Sequence, residues 1–427
     1  MEIFKFGGAS LQNPVAIRQL AKIINEYSGQ SLVIVVSAMG KITQSLEEIL
    51  QQYLHNQAYE SAIEEVYLFH KNIIQALLGD ACSPLETTLQ TWKQQLIQDL
   101  TNTDLPEEVE KLYSKVVAWG EILSSKIVYH YLTHVGIHLT WVDARQYVKT
   151  KAGFINAQLD EPYTKALIQN KLKPMLAQSK FILTQGFIGS DQNGETTTLG
   201  KEGSDFTGAI LAAALKARSL TIWKDVPGIM SADPKVFKNT IQFKVLSYET
   251  MAKMSFYGAQ VVHPKTIYPL AAQGIPLYIR PFYNSQAVGT IVNSKVQAPI
   301  DIPIYILRKV QALIKVSVGD FIFFEEKHLG MLCEELDKLA LRINFLEKTP
   351  YDVSICLNND PIKIDKILGI LQKGFYITIQ TPVQILTVIG QLQPADLSFV
   401  QEKNILAKQH NSSVYQVAFL DNGTDLY

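Results

Sequence analysis

The order of local patterns along this chain predicts an α/β protein with a mainly parallel sheet, followed by a smaller α+β region. Three observations carry that expectation. The run Leu32-Val33-Ile34-Val35-Val36 lacks alternation and follows a strand, a glycine turn and a helix, as a strand buried on both faces of a parallel sheet does. Strand and helix patterns resume after Gly136 and alternate to about Arg280, the mark of repeated βα units. Beyond residue 297 the elements shorten and follow the order βαββαβ.

Each element has a local reason. Residues 1–6 alternate and run into Gly7-Gly8, a strand followed by a tight turn. Asn13-Pro14 starts a helix, with an N-cap oxygen before a ring already set to helical φ. Ile17, Leu20, Ile24 and Tyr27 then form an apolar stripe at helical spacing. Residues 44–135 read as mostly helical, with breaks near Gly79 to Pro84 and around Asn102 to Pro106. The last of these helices carries Gly120-Glu121 and runs to about His134, where Gly136 stops it. Phe181 to Phe187 and Glu195 to Leu199 read as strands around the turn Asp191-Gln192-Asn193-Gly194. An alanine-rich helix follows Gly203-Ser204-Asp205, Leu220 to Trp223 is a buried strand, helices cover 247–257 and 264–273, and Ile275 to Arg280 is a late strand.

Gln297 to Pro303, with two prolines, reads as a linker. It separates a domain over 1–296 from a region over 303–427. In that region a strand at Ala312 to Val318, a helix at 327–340, strands at 342–346 and 352–357, a helix at 361–372 and a strand at 375–380 make one complete unit, about 309–380. A shortened second unit, about 383–427, has strands at 383–389, 403–408 and 413–420, and room for one short helix at Pro394 to Gln401.

Composition excludes several classes of function. The chain has 427 residues, and at about 150 per domain that suggests three compact units. Apolar residues make up 47% and charged residues 19%, enough to bury a core and too apolar for disorder. Lys plus Arg total 39 against 40 for Asp plus Glu, so there is no basic footprint for nucleic acid or an anionic membrane. A small molecule or another protein chain is the expected partner. Cys82, Cys333 and Cys356 are scattered and odd in number, and read as free thiols of a reducing compartment. No signal peptide is visible and no window approaches the ~18 apolar residues of a membrane span, so the expected location is the cytoplasm.

Four blocks carry residue types suited to chemistry. In Lys5-Phe6-Gly7-Gly8-Ala9-Ser10 the missing side chains let backbone N–H groups approach phosphate oxygens, and an ammonium answers their charge. A plain strand-to-helix turn with an edge lysine explains the block equally well. In Thr196 to Asp205 a second glycine turn feeds a helix start, with a hydroxyl on Ser204; Asp205 is equally suited to be an N-cap. Trp223 to Met230, then Asp233-Pro234-Lys235, is a buried strand emptying into a polar loop, where open α/β sheets bind ligands. Tyr257 to Thr266 joins a helix end to a helix start. His130 and His134 stand four apart on a helix, but no HExxH accompanies them, and no metal-ligand set is expected from the chain itself.

Together, in this order, the blocks resemble aspartokinases of the amino-acid kinase superfamily. The resemblance covers nearly the whole chain, through KFGGAS, SAMGKIT over Ser37 to Thr43, WGEILSS around Glu121, ILTQGFIG around Phe187, TTTLGKEGSDFTGA and KDVPGIMSADPKV. It implies a three-layer α/β/α amino-acid kinase fold with a mainly parallel sheet over 1–296, and a C-terminal ferredoxin-like region of the ACT type. It further implies transfer of the γ-phosphoryl group of ATP to the side-chain carboxylate of L-aspartate, with Mg²⁺ bound through the nucleotide phosphates. Carried over by position, Lys5, Gly7, Gly8 and Ser10 form the phosphate site, and Lys224, Asp225, Met230, Lys235 and Gln260 hold nucleotide. Thr43, Glu121, Phe187, Lys201 and Ser204 bind aspartate, and Asp205 orients Lys5; Lys5 and Asp205 are the catalytic pair. The family also implies a homodimer through the ACT region and an amino-acid effector, lysine or threonine.

The chain departs from the family at several of these positions. Lys201 replaces an arginine, giving a point charge where a planar fork would grip a carboxylate. Ala9 replaces a threonine, Gln260 a lysine and Lys235 an arginine, with Lys265 five residues on as a charge that would restore the loss. Two other readings follow from these departures: a kinase for another amino acid such as glutamate, and a regulatory amino-acid-binding protein with a degraded kinase domain.

Overall fold

The computed structural model describes residues 1–101, 108–295, 302–390 and 404–420. They form two compact units, the first comprising Met1–Ile229, Lys244–Met251 and Val261–Val296, the second Met230–Phe243, Ala252–Gln260 and Gln297–Tyr427. The expected break at Asn102 to Pro106, most of the linker, the short helix at Pro394 to Gln401 and the tail after Leu420 lie outside the described residues.

The first unit opens with β1 (Glu2–Phe6), α1 (Pro14–Glu26) and β2 (Leu32–Val36), the βαβ unit expected. Asn13 Oδ1 accepts the Ala16 N–H at 2.9 Å, which closes the start of α1 as the Asn-Pro pair predicts. The helical stretch resolves into α2 (Ile42–Leu54), α3 (Glu60–Leu78), α4 (Ser83–Thr101) and α5 (Val109–His134), with an additional break at 55–59. Then come β3 (Thr140–Val142), the ribbon of β4 (Thr150–Ala152) and β5 (Gln158–Leu159), and helices α6 (Glu161–Leu167) and α7 (Lys173–Gln178) joined by a π turn. The sequence reading did not place α6 and α7, although Asp160 caps the Tyr163 N–H at 3.2 Å and Pro162 sits in the first turn. The unit continues with β6 (Phe181–Gln185), the hairpin of β7 (Ile188–Ser190) and β8 (Thr196–Thr198), α8 (Gly203–Leu215) and β9 (Leu220–Lys224). It ends with β10 (Val245–Ser247), α9 (Tyr248–Tyr257), which belongs in part to each unit, α10 (Pro264–Ala271), β11 (Leu277–Pro281) and β12 (Thr290–Asn293).

Eight strands pair in the order β10-β12-β11-β9-β1-β2-β6-β3. Only β11 and β12 run antiparallel; every other pair is parallel. Phe4, Phe6, Ile34 and Val36 turn one face toward α1 to α5, with Leu20, Leu46, Trp92 and Ile127 in the same apolar core. Lys5 alternates to the other face: a side chain added to Gly208 of α8 would meet Leu220 and the Lys5 Cβ within 4 Å. Helices on both faces of a mainly parallel sheet are the three layers expected. Lys5 is registered with Val35 on one side and Ile222 on the other, so β1, β2 and β9 deliver their carboxyl ends to one place.

The second unit contains β13 (Ile304–Ser317), α11 (Glu326–Lys338), β14 (Phe345–Lys348), β15 (Asp352–Asn358), α12 (Pro361–Leu371), β16 (Tyr376–Ile389), β17 (Ile405–His410) and β18 (Val414–Leu420). The βαββαβ order is present, and α11 and α12 bury Leu332, Leu336, Ile364 and Ile367 against Ile314, Val316 and Ile355. All six strands are antiparallel neighbours, in the order β14-β15-β13-β16-β18-β17. Two expectations change here. β13 begins at Ile304 rather than Ala312, and the expected gap between 380 and 383 is absent, because β16 runs through it. The paired ladder from Ile304↔Ile389 to Ser317↔Tyr376 supplies the reason: each long strand is the other's hydrogen-bonding partner, with only local register shifts near Gln311. Segment 230–243 packs on this unit, with Ala232 and Phe237 against Leu386, Val388, Val417 and Phe419.

Candidate active site

A cavity of about 680 Å³ opens in the first unit at the carboxyl ends of β1, β2 and β9. Twelve of the residues singled out from sequence line it: Lys5, Gly7, Gly8, Ser10, Thr43, Glu121, Phe187, Lys201, Ser204, Asp205, Lys224 and Asp225. Met230, Lys235 and Gln260 belong to the second unit, where Met230 bridges Gln242 and the Lys235 N–H is held by Asp233 Oδ1 at 2.9 Å. Lys265 lines a separate groove of the first unit with Lys165, Phe206 and Tyr268, so it does not restore charge to this cavity.

Two glycine turns build the walls. After β1 the chain tightens into a 3₁₀ turn over Gly8–Leu11, with the Ser10 N–H donating to the Gly7 carbonyl at 2.9 Å. Gly8 is required by close approach: a Cβ there would lie 2.7 Å from the Gly40 carbonyl oxygen and 2.9 Å from that of Ala38. The Gly40 N–H in turn donates to the Gly8 carbonyl at 3.0 Å, tying the SAMGKIT segment to the first loop. Across the cavity, Gly186 leaves no room beside Ser204, whose Cβ would be 2.5 Å from an added Cβ. Phe187 has φ 69, a conformation few side-chain-bearing residues adopt. It is held there because its N–H donates to Thr207 Oγ1 at 3.1 Å and its carbonyl accepts the Leu199 N–H at 2.8 Å.

Charge concentrates where the turns meet. Lys5 Nζ lies 2.6 Å from Asp205 Oδ1, with side-chain exposures of 11% and 3%. Asp205 is in the first turn of α8, where the helix N-terminus favours negative charge. Glu121, on the buried side of α5, is 3% exposed, and its Oε2 meets no donor among the described residues. Burial pushes its carboxyl up to about 8, against the opposing pull of Lys5 and the Ala38 backbone N–H. Lys224 Nζ donates to the Val261 carbonyl. Tyr113 donates to Glu47 Oε1 at 2.6 Å on the rim, and burial raises its hydroxyl above the usual tyrosine range, with the Glu47 carboxylate adding to the shift.

The liners without an assigned role from sequence include Glu47, Tyr113, Asn156 and Glu202. Asn156 fills the space that Gly200 leaves open; a Cβ on Gly200 would lie 1.6 Å from its Oδ1. Both Asn156 and Glu202 have positive φ, 52 and 55, and no local motif foretells that.

The cavity sets lysines and two glycine turns beside buried carboxylates, and a model of the amino acid kinase family matches residues 1–281. The chain belongs to the amino acid kinase family. Within it the similarity runs to aspartokinases. Lysine-sensitive aspartokinase 3 of Escherichia coli (strain K12) is 30% identical over 315 residues, covering 73% of this chain and 68% of that one. The bifunctional aspartokinase/homoserine dehydrogenase 2, chloroplastic, of Arabidopsis thaliana is 32% identical over 293 residues, 68% of this chain. The chain spans about a third of that relative's length, 32%. In fold, the crystal structure of E. coli aspartokinase III in complex with aspartate and ADP superposes with a TM-score of 0.84 at 23% identity, covering 98% of this chain and 95% of that one.

Proposed function

We propose that this chain transfers the γ-phosphoryl group of ATP to the side-chain carboxylate of L-aspartate, giving 4-phospho-L-aspartate and ADP. The observation that carries the reading is the Lys5–Asp205 ion pair, set between two glycine turns in the same cavity as the buried Glu121. A side-chain carboxylate has a pKa near ~4, so the acceptor is already an ionised nucleophile at neutral pH and needs no general base. Its oxygen forms the new bond to phosphorus as the bond to the ADP oxygen breaks. The chain's task is then positioning, and positive charge around the transferring oxygens.

Asp205 holds the Lys5 ammonium over the first loop, where the missing side chains of Gly7 and Gly8 let a phosphate approach the backbone and Ser10 lines the wall. Glu121 takes the acceptor's ammonium and Lys201 its α-carboxylate, with Thr43, Phe187 and Ser204 completing the pocket. Asp225 in the wall suits the water shell of a Mg²⁺ that would be bound through the nucleotide phosphates. When bound, that ion neutralises charge on the phosphoryl oxygens. Lys224, Asp225, Met230, Lys235 and Gln260 are assigned to nucleotide on the family resemblance.

The second unit is read as an ACT-type regulatory region that pairs two chains and takes an amino-acid effector, lysine first and threonine next. No described helix is long and apolar enough to cross a membrane, and the cytoplasm is the proposed location. The clustered charges of the first unit give the non-catalytic alternative no support, since a dead site has no physical need to bury them. Hydroxylamine trapping of acyl phosphate, with Mg-ATP and either aspartate or glutamate, tests the reading. Product from aspartate alone is expected; product from glutamate instead, or from neither, overturns it.

A further inference from the structure

The ribbon of β4 and β5 is joined by a turn at 153–157 that lines the cavity with Ile155 and Asn156, and none of the roles above uses it. The turn is held from both sides. The Phe154 carbonyl accepts the Thr198 N–H at 2.8 Å and the hydroxyl of the buried Ser114 at 2.8 Å. The Ala157 N–H donates to the Thr198 carbonyl at 2.8 Å. Ile155 and Asn156 are thus the two-residue tip of a turn fixed to β8 and to α5. Asn156 has φ 52, a left-handed conformation that asparagine adopts more readily than most residues. Its carboxamide lies where a side chain at position 200 would lie: a Cβ on Gly200 would be 1.6 Å from Oδ1 and 2.7 Å from Cγ. With Oδ1 against Gly200, the NH₂ group is the free end of the carboxamide, and it donates to nothing among the described residues. Asn156 is exposed, so a fixed residue keeps open donors in the cavity wall, beside the glycine that precedes Lys201.

The charges of the cavity give those donors a use. Of its three lysines, Lys5 is paired with Asp205 and Lys224 donates to the Val261 carbonyl, which leaves Lys201 for a carboxylate of the acceptor. An ammonium is a compact point charge and does not grip both carboxylate oxygens as a guanidinium fork does. A carboxylate offers about four lone-pair sites, so a second donor has somewhere to bind. We propose that Asn156 is an acceptor-binding residue whose NH₂ group donates to the carboxylate that Lys201 draws in. The lysine supplies the charge and the carboxamide supplies the directed hydrogen bond, so two segments of the chain together do the work of one planar fork. The inference rests on the acceptor reading given above and deepens it, by naming a residue that recognises the α-carboxylate.

The test is calorimetric binding of L-aspartate and of its α-amide, in the presence of Mg-ADP, to the full chain and to three variants: Asn156→Gly, Asn156→Asp, and Asn156→Gly combined with Lys201→Arg. Glycine keeps the left-handed backbone and removes only the carboxamide, which has no partner inside the fold, so the melting temperature should barely move. Loss of a hydrogen bond to a charged group should weaken aspartate roughly tenfold, whereas the α-amide, which brings no charge to this corner, should lose less than about twofold. Asn156→Asp sets one carboxylate against another and should weaken aspartate further than glycine does. Adding Lys201→Arg to the glycine variant should recover most of the loss, because the fork supplies the missing donor. Aspartate affinity within about twofold of the parent in Asn156→Gly, equal losses for aspartate and its α-amide, or no recovery with arginine overturns the inference alone if the parent chain still makes acyl phosphate from aspartate. A parent chain that makes none overturns the acceptor reading and this inference with it.

Discussion

Replacing Glu121 by glutamine should remove a proton from the folding equilibrium. The carboxyl begins at 4.5 in an open chain and rises to about 8 in the fold, because burial on α5 disfavours its charged form. Between those values the unfolded chain has released a proton that the folded chain keeps. Stability therefore falls as pH rises, by about 1.36 kcal/mol for each unit, from full strength below 4.5 until the folded carboxyl itself ionises near 8. By pH 7 the loss amounts to about 3 kcal/mol. Glutamine keeps the shape of the protonated acid and does not titrate. Glu121→Gln should thus equal the parent near pH 4.5 and exceed it by about 3 kcal/mol at pH 7. Urea unfolding of the unliganded chain at half-unit steps from pH 5 to 8 reads the difference directly. Two stability curves that run parallel across that range would refute the burial argument. The same carboxyl should ionise when an ammonium arrives, so aspartate binding at pH 7 should release up to one proton and its calorimetric enthalpy should vary with the ionisation enthalpy of the buffer.

Four other outcomes are expected. Lys5→Ala should lower kcat by about 10²–10³-fold in a folded protein, because a preorganised charge at the transferring group is lost, and near-normal kcat would sink the phosphate assignment. Lys201→Arg should lower KM for aspartate about fivefold, the scale of one added charged hydrogen bond; a sharp rise would show a pocket rebuilt around lysine. Gly186→Ala must push Ser204 aside, since the new Cβ falls 2.5 Å from its Cβ and 2.7 Å from its Oγ. A displacement of that size should reduce kcat/KM by about 10²-fold with an unchanged circular dichroism spectrum, and full activity would contradict the packing. Lysine at millimolar concentration should inhibit little at sub-saturating aspartate, because Lys348 and the rigid Pro350 stand in the loop where the family resemblance puts a cationic effector. Strong inhibition at micromolar lysine would overturn that expectation.

Much of the site was legible because its residues sit in short motifs that couple composition to backbone. Gly7-Gly8 after a strand and Gly203-Ser204-Asp205 before a helix each announce a turn, and the fold brings both to one cavity. Asn156 and Glu202 were not legible, since they join the cavity wall with left-handed φ that no local motif announces. Glu121 could be placed on a helix from sequence, but its burial and the raised pKa that follows come from packing that no local pattern encodes. In the second unit Tyr376 to Gln380 is largely exposed and precedes Pro382, which reads as a strand ending; the pairing with β13 carries the strand onward. For α6 and α7 the cap and prolines were present in the sequence, and the helices are short enough that apolar periodicity never built up.

The unbroken course of β13 and β16 has a consequence for how this region can be taken apart. Each is 14 residues long, and their shared ladder spans both halves of the six-stranded sheet. A cut placed where sequence suggests a boundary, between Gln380 and Val383, would sever a central strand and leave raw edges on both fragments. Separate expression of the two halves should accordingly yield aggregates, and grafting one half onto another protein should fail. The exposed turn at Asn411-Ser412, between β17 and β18, is the better place to open the chain for circular permutation or insertion, because no ladder crosses it.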